Sequence, residues 1–380
     1  MLTSLLMCVA AAGLPDEVSI DRPAPKLLAG IQFRKALEQP FSATWSRVTL
    51  RRVIRRIGER GEVAVLLDRR IDPTQPLELS VNGETLRDIF DRIGRSADGR
   101  TSAVGSTVYV GPAAAASKLR TLVHLRSDEL VKASTRWGGK RHLALSRRRM
   151  LHWSDLESPV ELLQRIAKRY DLEIRELDSV PHDLWAGATL SSVNAAEALS
   201  LVLIQFDLTF AWGHEGNVIR LLPVPERVQL ERRYRSRGQS AAQAAAAWRE
   251  RIVGIDTELR GGYVVVRGTL EQHEVVTALL RPSGRRTAAA PKRKLRELKR
   301  RMFTLSLDGD PVRAVMKKLE ESDVKFQYDA RALEAAGVDL DQPIRLDLKD
   351  AGADAFFHAV FDPLGLQFEI DGYTVRLSPK

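Results

Sequence analysis

Alternating and helical hydrophobic patterns follow one another in the last quarter of the chain. Residues 303–307 alternate between apolar and polar positions, like a half-buried strand. Asp310 followed by Pro311 predicts a helix start, with Asp310 as the N-cap. Four apolar residues continue at helical spacing: Val312, Val315, Met316 and Leu319. The whole stretch reads as strand, helix, two strands, helix and two strands, which predicts a small α+β unit with helices on one face of a sheet.

The second predicted helix of this stretch carries three phenylalanines on one face. Phe356, Phe357 and Phe361 are expected in the core, because a small unit has only one sheet face to cover. His358 follows Phe357 and is expected at the surface or at the boundary of the core. The stretch closes with a hairpin, since Asp371-Gly372 tolerates the positive φ that a tight turn requires.

The same order of patterns occurs twice more, and internal repeats indicate a modular architecture. Ser158-Pro159 stands where Asp310-Pro311 stands in the last copy, and a hairpin through Gly216-Asn217 ends this middle copy. In the first copy a helix begins after Thr49. The predicted fold class is therefore α+β, with three repeated βαββαββ units at residues 41–112, 151–224 and 302–380.

The first copy shares its order and spacing with a known family. Its first helix carries one apolar stripe: Leu50, Val53, Ile54 and Ile57. The next strand ends in Asp68, the loop Asp72-Pro73-x-x-Pro76 follows, and a strand and a Leu-x-x-Ile-Phe helix come after it. On these features, residues 41–112 resemble the short N-terminal domain (STN) of secretins and TonB-dependent receptors. The third copy repeats the loop as Asp341-Gln342-Pro343, whereas the second has Trp185-Ala186-Gly187 in its place.

The resemblance implies a role in the cell envelope. Its three divergent copies cover a little over half of the chain, and it rests on order and spacing. Domains of this family contact secretion, uptake or signalling partners in the periplasm. Neither a secretin barrel nor a receptor barrel follows the third copy, so we expect a protein that does not itself form a pore.

The predicted units are separated by stretches of different composition. Three of these are interpreted as linkers, two of them basic: 14–40, 113–150 and 284–301. Within the second linker, residues 119–131 are expected to form a strand and a short helix. Residues 225–252 predict a helix, and residues 253–283 predict two strands and a helix. The latter segment is a partial β-α module, weakly similar to the BON type or to a secretin ring-building domain.

The first 13 residues resemble a secretory signal peptide. Leu2–Val9 supplies an apolar core and Ala10–Ala12 a small-residue cleavage pattern, although no Lys or Arg precedes them. Cleavage after Ala12 would remove Cys8, the only cysteine, so the mature chain would have no thiol for a disulfide or metal site. We expect export to the periplasm or cell envelope. The alternative is a buried N-terminal helix.

The chain carries a formal net charge of +10. Its basic clusters are 51–60, 147–149, 232–237 and 285–301. Such clusters can bind phosphate by counterion release, but aromatic residues are only 6% of the chain, too few for base-stacking platforms. Arg51 and Arg55 fall opposite the apolar stripe of their helix, where a surface helix places its charges. We therefore interpret the clusters as solvated faces, with anionic lipid or polymer as partners at the linkers; the alternative is a soluble, basic nucleic-acid-binding protein.

No enzyme signature is found in the sequence. It has no Gly-x-Gly-x-x-Gly after a strand, no phosphate-binding Gly-x-x-x-x-Gly-Lys-Ser/Thr and no Gly-x-Ser-x-Gly elbow. The seven histidines are scattered, without the His-Glu-x-x-His spacing of a zinc site: His124, His142, His152, His182, His214, His273 and His358. His214-Glu215 is placed at a hairpin tip. We predict no catalytic, cofactor-binding or metal-binding residue, and expect no cofactor.

Binding by sheet edges follows from the predicted architecture. Small sheets with open edge strands can accept a partner strand through main-chain hydrogen bonds. Trp153, Trp185 and Trp212 cluster in the second unit and are expected in its core or rim, with a peptide or glycan surface as the alternative. The expected function is therefore a non-enzymatic, exported interaction module with envelope proteins as partners. The identity of the partner and the oligomeric state stay open.

Overall fold

A computed structural model of the protein describes residues 26–236, 240–280, 298–321 and 324–380. The predicted signal peptide and most of the linker 284–301 lie outside the described residues. The described chain is mixed α+β, as the sequence predicts. None of the described helices is long and apolar enough to cross a membrane.

The first unit contains three helices and five strands. They are α1 (Gly30–Leu37), β1 (Pro40–Thr49), α2 (Leu50–Gly61), β2 (Ala64–Leu67), β3 (Pro76–Thr85), α3 (Leu86–Ser96), β4 (Gly99–Val104) and β5 (Thr107–Pro112). β1 pairs antiparallel with β3, whereas β5 lies between β2, which is parallel to it, and β4, which is antiparallel. The predicted single sheet is thus wrong. The chain crosses over through α2, so β2 joins the last strand and not the first.

The helix α1 corrects the prediction that residues 14–40 are a linker. Phe33, Ala36 and Leu37 lie at helical spacing and are buried in the core of the first unit, together with Phe90 of α3. An amphipathic helix of eight residues has too few apolar positions to stand out in a polar stretch.

The predicted linker 113–150 is largely helical as far as Ser146 and is not irregular. Its helices are α4 (Ala113–Lys132), α5 (Ser134–Trp137) and α6 (Gly139–Ser146). The strand predicted within 119–131 is wrong, because Ala115, Leu119 and Leu122 form one buried helical stripe in α4. The alanines at its start are strong helix formers. α4 packs against β4 of the first unit and continues the core of the next one.

The second unit follows directly. Its elements are β6 (Arg149–Trp153), α7 (Pro159–Tyr170), β7 (Glu173–Arg175), β8 (Ala188–Val193), α8 (Ala195–Leu203), β9 (Leu208–Trp212) and β10 (Val218–Pro223). Ser158 caps α7 in a capping box with Glu161, which confirms the helix start predicted from Ser158-Pro159. β6 pairs antiparallel with β8, and β10 lies between β7 and β9.

Residues 230–236 and 240–280 form one βαββα unit. Its elements are β11 (Leu230–Tyr234), α9 (Ala241–Arg251), β12 (Asp256–Arg260), β13 (Tyr263–Gly268) and α10 (Leu270–Leu279). The helix predicted over 225–252 is therefore only half right. Leu230, Arg232 and Tyr234 share one face of a strand that pairs with the central strand β13, and this pairing overrides the local pattern.

The last unit contains β14 (Met302–Pro311), α11 (Val312–Glu320), β15 (Lys325–Gln327), α12 (Ala330–Ala335), β16 (Pro343–Gly352), α13 (Ala353–Phe361), β17 (Leu366–Asp371) and β18 (Thr374–Pro379). Phe356, Phe357 and Phe361 are fully buried, as predicted. The prediction that Asp310 caps the helix is wrong. Asp310 belongs to β14 and lies opposite Ile344 of β16, and Pro311 takes the N-cap position. The short helix α12, capped by Asp329, was not predicted from the sequence.

The three larger units have the same strand pairing but different cores. In each, the first and third strands pair antiparallel, and the last strand lies between the second and the fourth. That they are copies of one repeated module stays a prediction. The first unit has its own apolar core, but Leu66, Val104 and Tyr109 of that unit belong to the core of the second. The third unit and the βαββα unit each have a separate core.

Candidate functional site

The first and third units are joined through the edges of their sheets. β1 pairs parallel with β14, with Ala43 opposite Met302 and Ser46 opposite Leu305. The two strand pairs thereby form one four-stranded sheet in the order β16-β14-β1-β3. We call this contact the β1–β14 junction. It shows that an edge strand of one unit pairs with a strand from outside that unit.

The helices of the two units lie on opposite faces of this shared sheet. Neighbouring residues in paired strands share a face, so Thr44 lies on the side of Phe303, whose ring is in the core of the third unit. Trp45 lies on the other side, next to Thr304, and is in the core of the first unit. The core of the first unit therefore covers one face of β1 and β3, and the core of the third unit covers the opposite face of β14 and β16.

Hydroxyl groups line β1 on the face that its own helices do not cover. Ser42, Thr44 and Ser46 are all buried, although an alternating strand normally turns this face to solvent. Thr44 hydrogen-bonds Ser80 across to β3 at 3.1 Å, and Ser42 donates to Asn82 at 3.4 Å. These short side chains keep their hydrogen bonds while allowing the third unit to approach.

Polar side chains from both units cross the junction in each direction. Lys318 of α11 donates to the hydroxyl of Ser46 at 2.8 Å and pairs with Glu78 at 2.9 Å. Arg56 of α2 donates in the opposite sense to the hydroxyl of Thr304, at 2.6 Å. At the end of the pair, Arg47 forms an ion pair with Asp310 at 3.2 Å, which gives Asp310 a role other than helix capping.

Two clefts flank the junction, one on each face of the shared sheet. The smaller, of about 130 Å³, lies beside Thr44, Val315 and Lys318. The larger, of about 340 Å³, lies beside Trp45, Arg60 and other residues of both units. The junction is therefore a hydrogen-bonded and partly open contact, without an apolar core of its own.

The outer strands of the shared sheet are β3 and β16. In the described part of the chain neither has a second strand partner. β16 alternates between inward apolar residues such as Ile344 and outward polar residues such as Arg345, the pattern of a strand with one solvated face. Edge strands of this kind present backbone donors and acceptors that a partner strand can bind.

The contact between the first and second units is of another kind. Asp68, at the end of β2, is buried and accepts hydrogen bonds from the hydroxyl of Tyr109 and from Arg70, the latter at 2.9 Å. Arg70 also reaches the second unit, donating to the carbonyl of Ile204 at 3.0 Å and pairing with Asp207 at 2.7 Å. We call this contact the Asp68 junction.

Electrostatics fix the charge states in this junction. The hydrogen bond that Arg70 donates to the Asp68 carboxylate raises the pKa of Arg70 above its usual range, so its guanidinium stays charged. Burial, and then the Asp68 carboxylate, raise the pKa of Tyr109, so its hydroxyl stays a donor. The sequence marks Asp68 as a strand end, but nothing in its local pattern shows that it anchors a second unit.

Neighbouring residues extend the Asp68 junction. The backbone N–H of Arg69 donates to the buried side chain of Gln205 at 3.0 Å, and its guanidinium lies 5.0 Å from the ring of Phe206. The same guanidinium pairs with Asp183, which also accepts from the indole of Trp185. The junction thus combines a shared apolar core with a fully bonded polar network.

The tryptophans of the second unit lie in two groups. Trp153 and Trp185 are buried and in contact, with ring centroids 6.2 Å apart, so the core placement is confirmed for both. Trp212 is half-buried and packs instead against Trp137 of α5, at 5.9 Å. A glycan or peptide platform of three tryptophans is therefore not formed.

The histidines are placed as predicted at two positions. His214 is exposed in the turn between β9 and β10, and His358 is exposed beside Asp362. Among the described residues no group of three His, Cys, Asp or Glu side chains could hold a metal ion.

The sequence analysis did not single out His273 and His124, which the fold places near the strand β11. His273 of α10 is buried, and its Nε2–H faces the carbonyl of Leu230 at 3.0 Å while Nδ1 accepts from Tyr234 at 2.9 Å. On the adjacent helix α4, His124 lies 2.9 Å from Arg232. The two histidines come from distant elements, so only the fold brings them together.

The chain matches no protein-family model and no curated protein sequence. The solved structures similar to it include the N-terminal domain of the secretin XcpQ from Pseudomonas aeruginosa and a dimer mutant of the same domain. Both are 10% identical to this chain, with a TM-score of 0.17. The alignments cover 63% and 64% of this chain and 99% and 100% of the other. At this identity and TM-score, neither match supports an argument about arrangement or function.

Proposed function

We propose that this chain is a non-enzymatic interaction module of the cell envelope, which binds a protein partner by pairing a sheet edge with a partner strand. The observation that carries the proposal is the β1–β14 junction, where a sheet edge already pairs with a strand from another unit. The edges of β3 and β16 offer the same backbone groups to a strand of a second protein. Secretion, uptake or signalling proteins of the envelope are the partners that the sequence resemblance implies.

The distribution of basic residues is in keeping with this proposal. In the cluster 51–60, Arg56 bonds across the β1–β14 junction and Arg51 pairs with Asp155 at 3.2 Å. Arg60 lies over the ring of Phe41, 5.4 Å from its centroid. These side chains take part in contacts within the protein, and a nucleic-acid surface on α2 would have to compete with those contacts.

The test determines where the protein is located in the cell and which strands its partner protects. Native protein is fractionated and its N-terminus sequenced, and proteins that co-purify from the envelope fraction are added back to the pure chain. Hydrogen–deuterium exchange is then measured with and without the partner. We expect a start near Gly13, an envelope location and new amide protection within 76–85 or 343–352. An intact Met1 in the cytoplasm would contradict the envelope role, and protection confined to α2 on adding RNA or DNA would establish the nucleic-acid alternative.

A further inference from the structure

The outer edge of β12 is the most apolar open strand edge of the βαββα unit. β12 lies at one end of the sheet β11-β13-β12, and its outer side has no strand partner among the described residues. Leu259 in β12 is 53% exposed, and Tyr263, just beyond the turn, is 44% exposed. An exposed apolar residue on an open edge is a feature that soluble proteins normally avoid, because it invites pairing.

The hairpin geometry shows which backbone groups face that edge. Gly261 and Gly262 both have positive φ and form a two-residue turn between Arg260 and Tyr263. The residues that flank such a turn form a hydrogen-bonded pair, and bonded and non-bonded pairs alternate from there. The N–H and C=O groups of Leu259 therefore point away from β13, toward the open edge.

We propose that β12 pairs antiparallel with β12 of a second copy of this chain, about a two-fold axis at Leu259. In this register Leu259 lies opposite Leu259 of the second copy. Glu258 lies opposite Arg260 of the second copy, and the symmetry repeats this pair. The strand is thus complementary to itself in both hydrophobicity and charge, which is what a two-fold interface requires.

Charge selects this register over its neighbour. Moving the axis by one residue, to Glu258, would place two glutamates opposite each other, and directly opposed like charges destabilise a strand pair. Within one chain Glu258 already pairs with Arg260 at 2.7 Å and with Arg267 at 3.0 Å. In the dimer, the arginines of both copies would alternate with the two glutamates along one face of the joined sheet.

The expected dimer is weak and depends on concentration. One pair of five-residue strands buries less surface than the roughly 1,200–2,000 Å² of a standard stable interface. Association of this kind is measured on the full chain by sedimentation velocity over a wide range of protein concentration.

Two matched substitutions test the site. Leu259→Lys is expected to weaken dimerisation at least about tenfold, because it places two like charges at the axis. Val253→Lys is the control, since Val253 is 93% exposed in the turn before β12 and lies outside the strand. Equal effects of the two substitutions, or a wild-type chain that stays monomeric at every concentration, would overturn the proposal.

A charge exchange tests the register. Glu258→Arg and Arg260→Glu should each weaken the dimer, while the chain with both changes should regain most of the wild-type affinity. Thermal unfolding of each variant shows whether the hairpin still folds. For an independent readout, Cys8→Ser combined with Leu259→Cys should form a disulfide-linked dimer on mild oxidation, whereas Cys8→Ser with Val253→Cys should not. The proposal stands apart from the proposed function, because a monomeric chain can still bind an envelope partner at β3 or β16.

Discussion

The Asp68 junction and the β1–β14 junction both hold the first unit to a neighbour, but they do so differently. At the Asp68 junction, apolar residues of two units share one core, and a buried carboxylate is satisfied by Tyr109 and Arg70. At the β1–β14 junction the cores stay separate, and strand pairing with a few polar bridges makes the contact. The first is built like the interior of a domain, and the second like an interface between proteins.

Removing the carboxylate of Asp68 should have the largest effect. Asp68→Ala leaves Arg70 and the hydroxyl of Tyr109 without their buried acceptor, and loss of one partner of a buried pair costs about 3–5 kcal/mol. Urea denaturation followed by circular dichroism measures the free energy of unfolding. Asp72→Ala is the control in the same loop: Asp72 is exposed, so its substitution should cost much less stability than Asp68→Ala. Similar losses for both variants would show that Asp68 does not anchor the second unit.

Removing a bridge from the β1–β14 junction should have a smaller and local effect. Lys318→Ala loses the bonds to Ser46 and Glu78, worth about 1 kcal/mol at a partly exposed site. Amide exchange should become faster in β14 and along β1 while the core amides of α2 keep their protection. Lys317→Ala is the control, since Lys317 is exposed on the same helix. If exchange accelerates throughout the first unit, the two cores are coupled and the contrast between the junctions is wrong.

The contact of α4 with the βαββα unit supplies a third case, in which pH is the variable. Burial, and then the charge of Arg232, lower the pKa of His124. The charge of Asp128 raises this pKa, and that of Lys132 lowers it further. Burial likewise lowers the pKa of His273. A lowered histidine pKa means that the unfolded chain binds more protons, so stability from these groups is present above about pH 6.5 and is lost as pH falls below it.

Thermal unfolding at pH 7.5 and pH 5.5 measures this effect. The loss on acidification should be smaller in His124→Asn, which keeps a polar side chain near Arg232 but cannot titrate. His152→Asn is the control, because His152 is exposed and lies in the second unit. An unchanged pH dependence in His124→Asn would show that this histidine does not set the acid response.

The sequence predicts local elements well where one unit decides them. Ser158 caps its helix, and Phe356, Phe357 and Phe361 form a core, because the responsible contacts lie within a few residues or within one small unit. The prediction for Asp310 is wrong for the opposite reason. Its local pattern is that of a cap, but strand pairing with Ile344 and an ion pair with Arg47 of another unit decide its position.

The β1–β14 junction could not be predicted, since its register joins strands from opposite ends of the chain. One signal was nevertheless present. β1 carries Ser42, Thr44 and Ser46 where a solvated strand face usually carries charged side chains. Small hydroxyl residues at every second position suit a face that is buried against a neighbour and still needs hydrogen bonds. The partner of that face, however, is not encoded in β1 itself.

The long helix α4 has a mechanical consequence. Its 20 residues span about 30 Å, and it contacts the first unit through β4, the second through α8 and the βαββα unit through α10. Arg120 and Thr121, which bind α10, lie within the same buried stretch as Leu119 and Leu122. Because one helix makes all three contacts, a displacement of the βαββα unit together with α4 would act on the core that the first two units share.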